Sequence, residues 1–244
     1  MNVHEKSIRA SEYLTYVIGN IILMVVLFYI LLNNLLYEWT GQLYPVTSGF
    51  RLLLGGLDDA IPFVPEMVIF YQYLFYGIVI LTMLFFAFVE YRKGYALSWS
   101  LVIVSAIAII IYIVFPVSTY EWRVALTPHL DLGNFWQAQV YSIYTIDTPF
   151  NCFPSLHAAV STICFYTWYQ YSKVRPSRAT KIAAIVAFVI SAGVILSTLF
   201  IKQHYIVDEI AGILLAWVIG RTIFNYLWKA FKLTGSRVDK RKVK

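Results

Sequence analysis

Charge is scarce in this chain. Only 13% of its 244 residues are Asp, Glu, Lys or Arg, about half the share typical of a soluble domain, and that shortage excludes a water-facing surface over most of the molecule. Cysteine is scarcer still: Cys152 and Cys164 are the only two. Twelve helical residues would part them by about 18 Å, beyond the roughly 7 Å that a disulfide can span, so a disulfide scaffold is excluded and both read as small apolar fillers. Histidine occurs four times, at His4, His129, His157 and His204, with no Cys/His cluster of zinc-site spacing. There is also no internal repeat, which argues against the duplicated halves of many transporters.

What is there is apolar: 60% of the residues are hydrophobic and 18% aromatic. Six runs of membrane-span character fall at about 13–37, 66–89, 96–116, 157–172, 181–200 and 206–228. They are continuously hydrophobic rather than alternating, which favours helices over barrel strands. The expected fold is all-α, a polytopic membrane protein of six transmembrane helices, with residues 1–244 as one membrane-embedded domain and 228–244 as a basic tail. The first run follows Lys6 and Arg9 but continues from Tyr13 to about Tyr37 without an A-x-A-like site. It is too long for the roughly 7–15-residue core of a signal peptide, so it reads as a retained span.

Orientation follows from the cations. Lys6 and Arg9, the loop with Arg92 and Lys93, the loop from Lys173 to Lys181 and the tail all fall on one side of a six-span topology, while the other side receives only Arg51, Arg123 and Lys202. The positive-inside rule then places both termini in the cytoplasm. The net charge of +6 needs no nucleic-acid partner, because cations at span ends face anionic lipid headgroups, each contributing about 1 kcal/mol. Two long loops lie on the opposite side: 38–65, whose mix of apolar runs with Pro45, Gly55, Gly56, Asp58 and Asp59 suggests an interfacial or re-entrant element, and 117–153.

On that topology His157 and His204 share the extracytoplasmic level despite lying 47 positions apart. Asp208 lies four residues after His204, on the same helical face, where a carboxylate on one imidazole nitrogen would leave the other free to act as a base or nucleophile. The plainer role for Asp208 is to cap the sixth helix. Lys202 suits an anionic substrate, or simply snorkels to headgroups. Asp147 and Glu209 could serve as acid or base, but neither has a histidine partner at helical spacing. In "NCFPSLHAA" Pro154 suits a first helical turn, and Ser155 adds a hydroxyl to a helix start that attracts anions, phosphate above all. Two histidines and an aspartate could also ligate a metal, but no second carboxylate or Cys/His cluster accompanies them, so no cofactor is expected. A Ser-His-Asp hydrolase is disfavoured because Ser155 sits in no strand–turn–helix elbow.

These residues resemble the type 2 phosphatidic acid phosphatase (PAP2, lipid phosphate phosphatase) superfamily. "PSLHA", Pro154 to Ala158, fits its second motif, and "STLFIKQHYIVD", Ser197 to Asp208, fits the third: Ser-Arg, five residues, His, three residues, Asp. The resemblance implies His204 as the nucleophile that forms a phosphohistidine, Asp208 as the carboxylate that orients it and His157 as the general acid. It further implies Ser155 and Ser197 as phosphate ligands, and chemistry without a metal. Two departures stand out: the third motif's arginine falls at Thr198, and the first motif is not recognisable after the third span, where Arg123 is the nearest phosphate clamp. Lys202 could replace the charge missing at Thr198. This pattern, and "LDDAIPFVPEMVIFYQYLFY" at 57–76, is similar to the branch that includes inositol phosphorylceramide synthases. The expected activity is hydrolysis of a lipid phosphate or diphosphate at the extracytoplasmic face of the cell membrane; the alternative is transfer of a phospho-headgroup to an alcohol.

Overall fold

A computed structural model of the chain describes residues 3–44 and 49–231; the basic tail beyond Phe231 lies outside them. Helix α1 (Val3–Val25) runs on through a wider π-type stretch (Val26–Trp39) into α2 (Thr40–Leu43). A short α3 (Leu57–Ala60) follows, and then a continuous helical path from Pro65 ends in α4 (Phe75–Phe88). Next come α5 (Tyr91–Val114), the short α6 (Tyr120–Leu126) and α7 (Phe135–Ile146). The chain closes with α8 (Leu156–Val174), α9 (Arg178–Phe200), α10 (Ile206–Ile219) and α11 (Asn225–Ala230). Among the described residues there is no strand; two isolated bridges, Phe50 with Val117 and Val117 with Asn151, tie three loops together at one end of the bundle.

Among the described residues five helices are long and apolar enough to cross a membrane: Ala10–Asn33, Pro65–Phe88, Tyr91–Val114, Arg178–Phe200 and Ile206–Ala230. The expected fourth span, α8, is a helix of 19 residues but falls outside that set. The reason is its position. It packs against α4, α5, α9 and α10, so Ser161 and Thr167 are buried against protein, where their hydroxyls bond to carbonyls one turn back. A helix enclosed by other helices need not be apolar all round.

Local signals set the helix starts. Asn134 caps α7 by accepting from the N–H groups of Trp136 and Gln137, and Ser177, after Pro176, caps α9 in a reciprocal pair with Thr180, as short polar side chains at these positions do. Ser155 caps α8 by accepting from Ala158 N–H. Pro154 therefore precedes the cap, and the expected place in the first helical turn shifts outward by two residues. Its carbonyl is held instead by the Tyr112 hydroxyl at 2.7 Å.

The starts of α8 and α10 touch. A Cβ on Gly212 would lie 2.3 Å from the Ser155 carbonyl oxygen, a contact that only glycine permits. Ser155 N–H donates to the Asp208 carbonyl at 3.0 Å. This approach brings His157 and His204 to one end of the bundle.

Candidate active site

Between α9 and α10 the chain turns through 201–205. Lys202 takes the left-handed conformation, φ 55°, which costs a residue with a side chain about 1 kcal/mol or more. Its side chain is anchored: Nζ donates to the Asp58 carbonyl at 2.7 Å and lies 4.9 Å from the Trp122 ring centre. Burial lowers its ammonium from the ordinary value, against the pull of Asp59 and Asp58. Lys202 thus ties the turn to the 49–65 loop.

The same loop reaches α10. The Asp58 carboxylate, buried to 1% exposure, accepts from Leu54 N–H at 2.7 Å and from Ile206 N–H at 2.8 Å. It satisfies a free amide at the first turn of α10 from 148 residues away in sequence, which ordinarily a local cap would do. No signal in the sequence singles out Asp58 over Asp59.

His204 is 5% exposed. Its Nδ1 lies 2.9 Å from the Cys152 carbonyl oxygen and 3.4 Å from Asp208 Oδ2. A carbonyl can only accept, so Nδ1 carries the proton and Nε2 is left with its lone pair. Burial alone would lower the imidazole's pKa, but the bond to Asp208 and the charges of Glu209, Asp208 and Asp147 outweigh it and raise it above the ordinary value. Asp208 has both of the roles weighed from sequence within reach: Oδ2 also accepts from Tyr205 N–H at 2.8 Å, closing the first turn of α10.

The His157 ring centre stands 5.8 Å from that of His204. It is stacked on Tyr71 at 4.3 Å and tilted against Phe75 at 4.6 Å. A cavity of about 100 Å³ opens beside it, with Gln72, Ser142 and Asp147 in its wall.

Arg123 is also here, 5% exposed, and is heavily engaged. It donates to the carbonyls of Asp147 (2.5 Å) and Thr148 (3.3 Å) and to Gln203 Oε1 (2.7 Å), and stands 3.9 Å from the Asp147 carboxylate. Burial pushes the Asp147 carboxyl above its usual range, opposed by Arg123 and by a hydrogen bond from Asn151. At the departures from the family pattern, Thr198 Oγ1 lies 2.8 Å from Glu209 Oε1 and 2.6 Å from the Ile195 carbonyl. Ser155 borders the same carboxylate, and the Ser197 hydroxyl bonds to Val194 of its own helix.

Buried polar atoms are normally paired. Among the described residues eight buried side-chain atoms have no partner, and five of them are Arg123 Nε, Thr148 Oγ1, Gln203 Nε2, Asp208 Oδ1 and Glu209 Oε2. Unused hydrogen-bonding capacity is therefore concentrated around His204, and Thr148 and Gln203 join the site without having been singled out from sequence.

Cys152, His204 and Asp208 also bring three potential metal ligands within 4.8 Å. The donor set fits a metal poorly. Burial raises the Cys152 thiol well above its ordinary value, and its Sγ lies 3.2 Å from the Pro149 carbonyl, a place for a thiol proton rather than a metal-binding thiolate.

A model of the PAP2 superfamily matches residues 50–221, most of the 244-residue chain. The chain belongs to the PAP2 superfamily. No curated protein and no solved structure matches it significantly. Both PAP2 motifs recognised in the sequence lie within the matched stretch, and membership supports phosphatase-type chemistry on lipid phosphates, by a phosphoesterase or phosphotransferase, in a multi-pass membrane protein.

Proposed function

We propose that this protein is a metal-independent lipid phosphatase that hydrolyses a lipid phosphate or diphosphate through a phosphohistidine on His204. The observation that carries this reading is the clamp on His204, where the Cys152 carbonyl and Asp208 hold Nδ1 and leave Nε2 as the nucleophile.

Nε2 attacks phosphorus and the bond to the leaving oxygen breaks, while His157 gives that oxygen its proton. Asp208 offsets the positive charge that the imidazole gains as the N–P bond forms. Water then attacks the phosphohistidine, His157 takes its proton, and His204 is released with inorganic phosphate. Arg123, Thr148, Gln203 and Ser155 supply donors for the phosphoryl oxygens, whose charge must be met in the transition state. Ser197 and Lys202 act by holding the ends of α9 and the turn.

The distribution of cations supports six spans with α8 among them, both termini in the cytoplasm and the histidines at the extracytoplasmic level. A lipid substrate would keep its chains in the bilayer and place its phosphate beside the cavity at His157.

The test is a substrate panel of lipid phosphates, lipid diphosphates and phosphodiester lipids offered to purified protein, scoring phosphate release together with headgroup transfer to alcohols. Phosphate release that depends on His204 is the expected result. Transfer of a labelled headgroup with no phosphate released from any lipid would overturn hydrolysis in favour of a phosphotransferase.

A further inference from the structure

At the other end of α8 and α10 lies a cavity of about 490 Å³ that the chemistry above does not use. Lys173, Arg221 and Lys229 line it, and no Asp or Glu does. Among the described residues none of the three makes an ion pair. Lys173 Nζ rests 4.0 Å from the Tyr169 ring centre and the Arg221 guanidinium 5.4 Å from that of Trp217. Cations parked on aromatic faces keep their charge available to an anion.

The rest of the lining divides by polarity. Tyr166, Gln170 and Asn225 form a bonded polar floor, the Tyr166 hydroxyl donating to Asn225 Oδ1 at 2.8 Å and Gln170 Nε2 to the Tyr166 oxygen at 2.7 Å. Phe165, Ile213 and Trp217 supply an apolar wall, and Trp217 is 58% exposed on the outer face of the bundle. Lys173 follows His157 by sixteen residues on α8, about 24 Å along the helix, so this cavity faces the opposite leaflet from the histidines.

We propose that this cavity binds the headgroup of an anionic phospholipid of that leaflet, its phosphate between Lys173, Arg221 and Lys229 and an acyl chain along Phe165, Ile213 and Trp217. Basic pockets between helices at a membrane surface recognise such headgroups. The chain's own segment beyond Phe231 is a poor occupant, since Lys232, Arg237, Lys240, Arg241, Lys242 and Lys244 would bring like charge into a basic pocket.

The test uses the full chain in nanodiscs or mild detergent, titrated with phosphatidylglycerol, phosphatidylcholine or inorganic phosphate, with thermal stability and native mass spectrometry as readouts. Phosphatidylglycerol should raise the melting temperature and remain bound, while phosphatidylcholine and inorganic phosphate should do neither. Lys173→Gln/Arg221→Gln/Lys229→Gln should lower the affinity on the order of 100-fold, from three cations at the strength typical of headgroup contacts. The exchange Lys173→Arg/Arg221→Lys/Lys229→Arg should preserve binding, which guards against a triple Gln chain that fails to fold. His204→Ala should leave the shift intact. Equal response to phosphatidylcholine, a shift produced by phosphate alone, loss of binding with the charge-preserving exchange, or loss with His204→Ala would each overturn the proposal.

Discussion

Asp208→Asn separates what the carboxylate does for chemistry from what it does for α10. The pair His204 Nδ1 and Asp208 Oδ2 is 3.4 Å apart with both side chains buried, so a full positive charge on the imidazole would gain about 5 kcal/mol at an effective dielectric of 20. A transition state with half of that charge formed realises roughly 2.5 kcal/mol, close to 70-fold in rate. The loss should stop there because the Cys152 carbonyl at 2.9 Å still fixes the Nδ1–H tautomer. Where the carboxylate alone sets the tautomer, the same change costs about 10⁴-fold. Asparagine can still accept from Tyr205 N–H, whereas Asp208→Ala cannot and should lose about a further 1 kcal/mol of stability.

The pH profile gives a second readout of the same substitution. Attack needs neutral His204, whose pKa is raised, so the acid limb of kcat/KM should lie above the ordinary value of 6.5 and move down in Asp208→Asn. For stability the sign runs the other way: a raised histidine contributes stability that is fully present below about pH 6.5 and is lost as pH rises through its folded value. Steady-state kinetics across pH with thermal melts would measure all of this. A wild-type rate and an unmoved limb in Asp208→Asn would reduce Asp208 to a cap, and a 10⁴-fold loss would show that the Cys152 carbonyl does not hold the tautomer.

Arg123→Ala leaves the Asp147 carboxylate and Gln203 Oε1 without their shared cation and should cost on the order of 3–5 kcal/mol of stability as well as activity; a melting temperature equal to wild type would contradict the buried network. Asp58→Ala removes the acceptor for Ile206 and Leu54 N–H, so melts should show a loss of about 1–2 kcal/mol, and kcat should fall as the first turn of α10 loosens. Cys152→Ala retains the backbone carbonyl and should keep most of the activity, in EDTA as well as without it. Inactivation by chelation with rescue by a divalent ion would instead make Cys152, His204 and Asp208 a metal site.

The helical membrane fold was legible because continuous apolar runs have few alternatives, and the two motifs marked His157, His204 and Asp208 because their spacing repeats a known pattern. The fourth run reads from sequence as a span, yet α8 falls outside the helices apolar enough to cross a membrane, since it is enclosed by other helices and its polar residues are satisfied by its own backbone and by neighbours. Asp58 was illegible for a different reason. Its partner amide lies 148 positions away, and only the folded loop shows which of two adjacent aspartates turns inward. Lys202 reads from sequence as a cation next to the nucleophile, yet its left-handed backbone carries Nζ to the Asp58 carbonyl. The contact of Thr198 with Glu209 likewise pairs the position of the missing arginine with a residue whose sequence context gave it no partner.

The most direct test is to trap the intermediate. Phosphorus-labelled lipid phosphate turned over by His157→Ala protein, quenched in alkali and mapped by peptide, should place acid-labile, base-stable phosphate on His204, and His204→Ala should show none. Label on another residue, or turnover by His157→Ala with no phosphoenzyme at any time point, would contradict the phosphohistidine route.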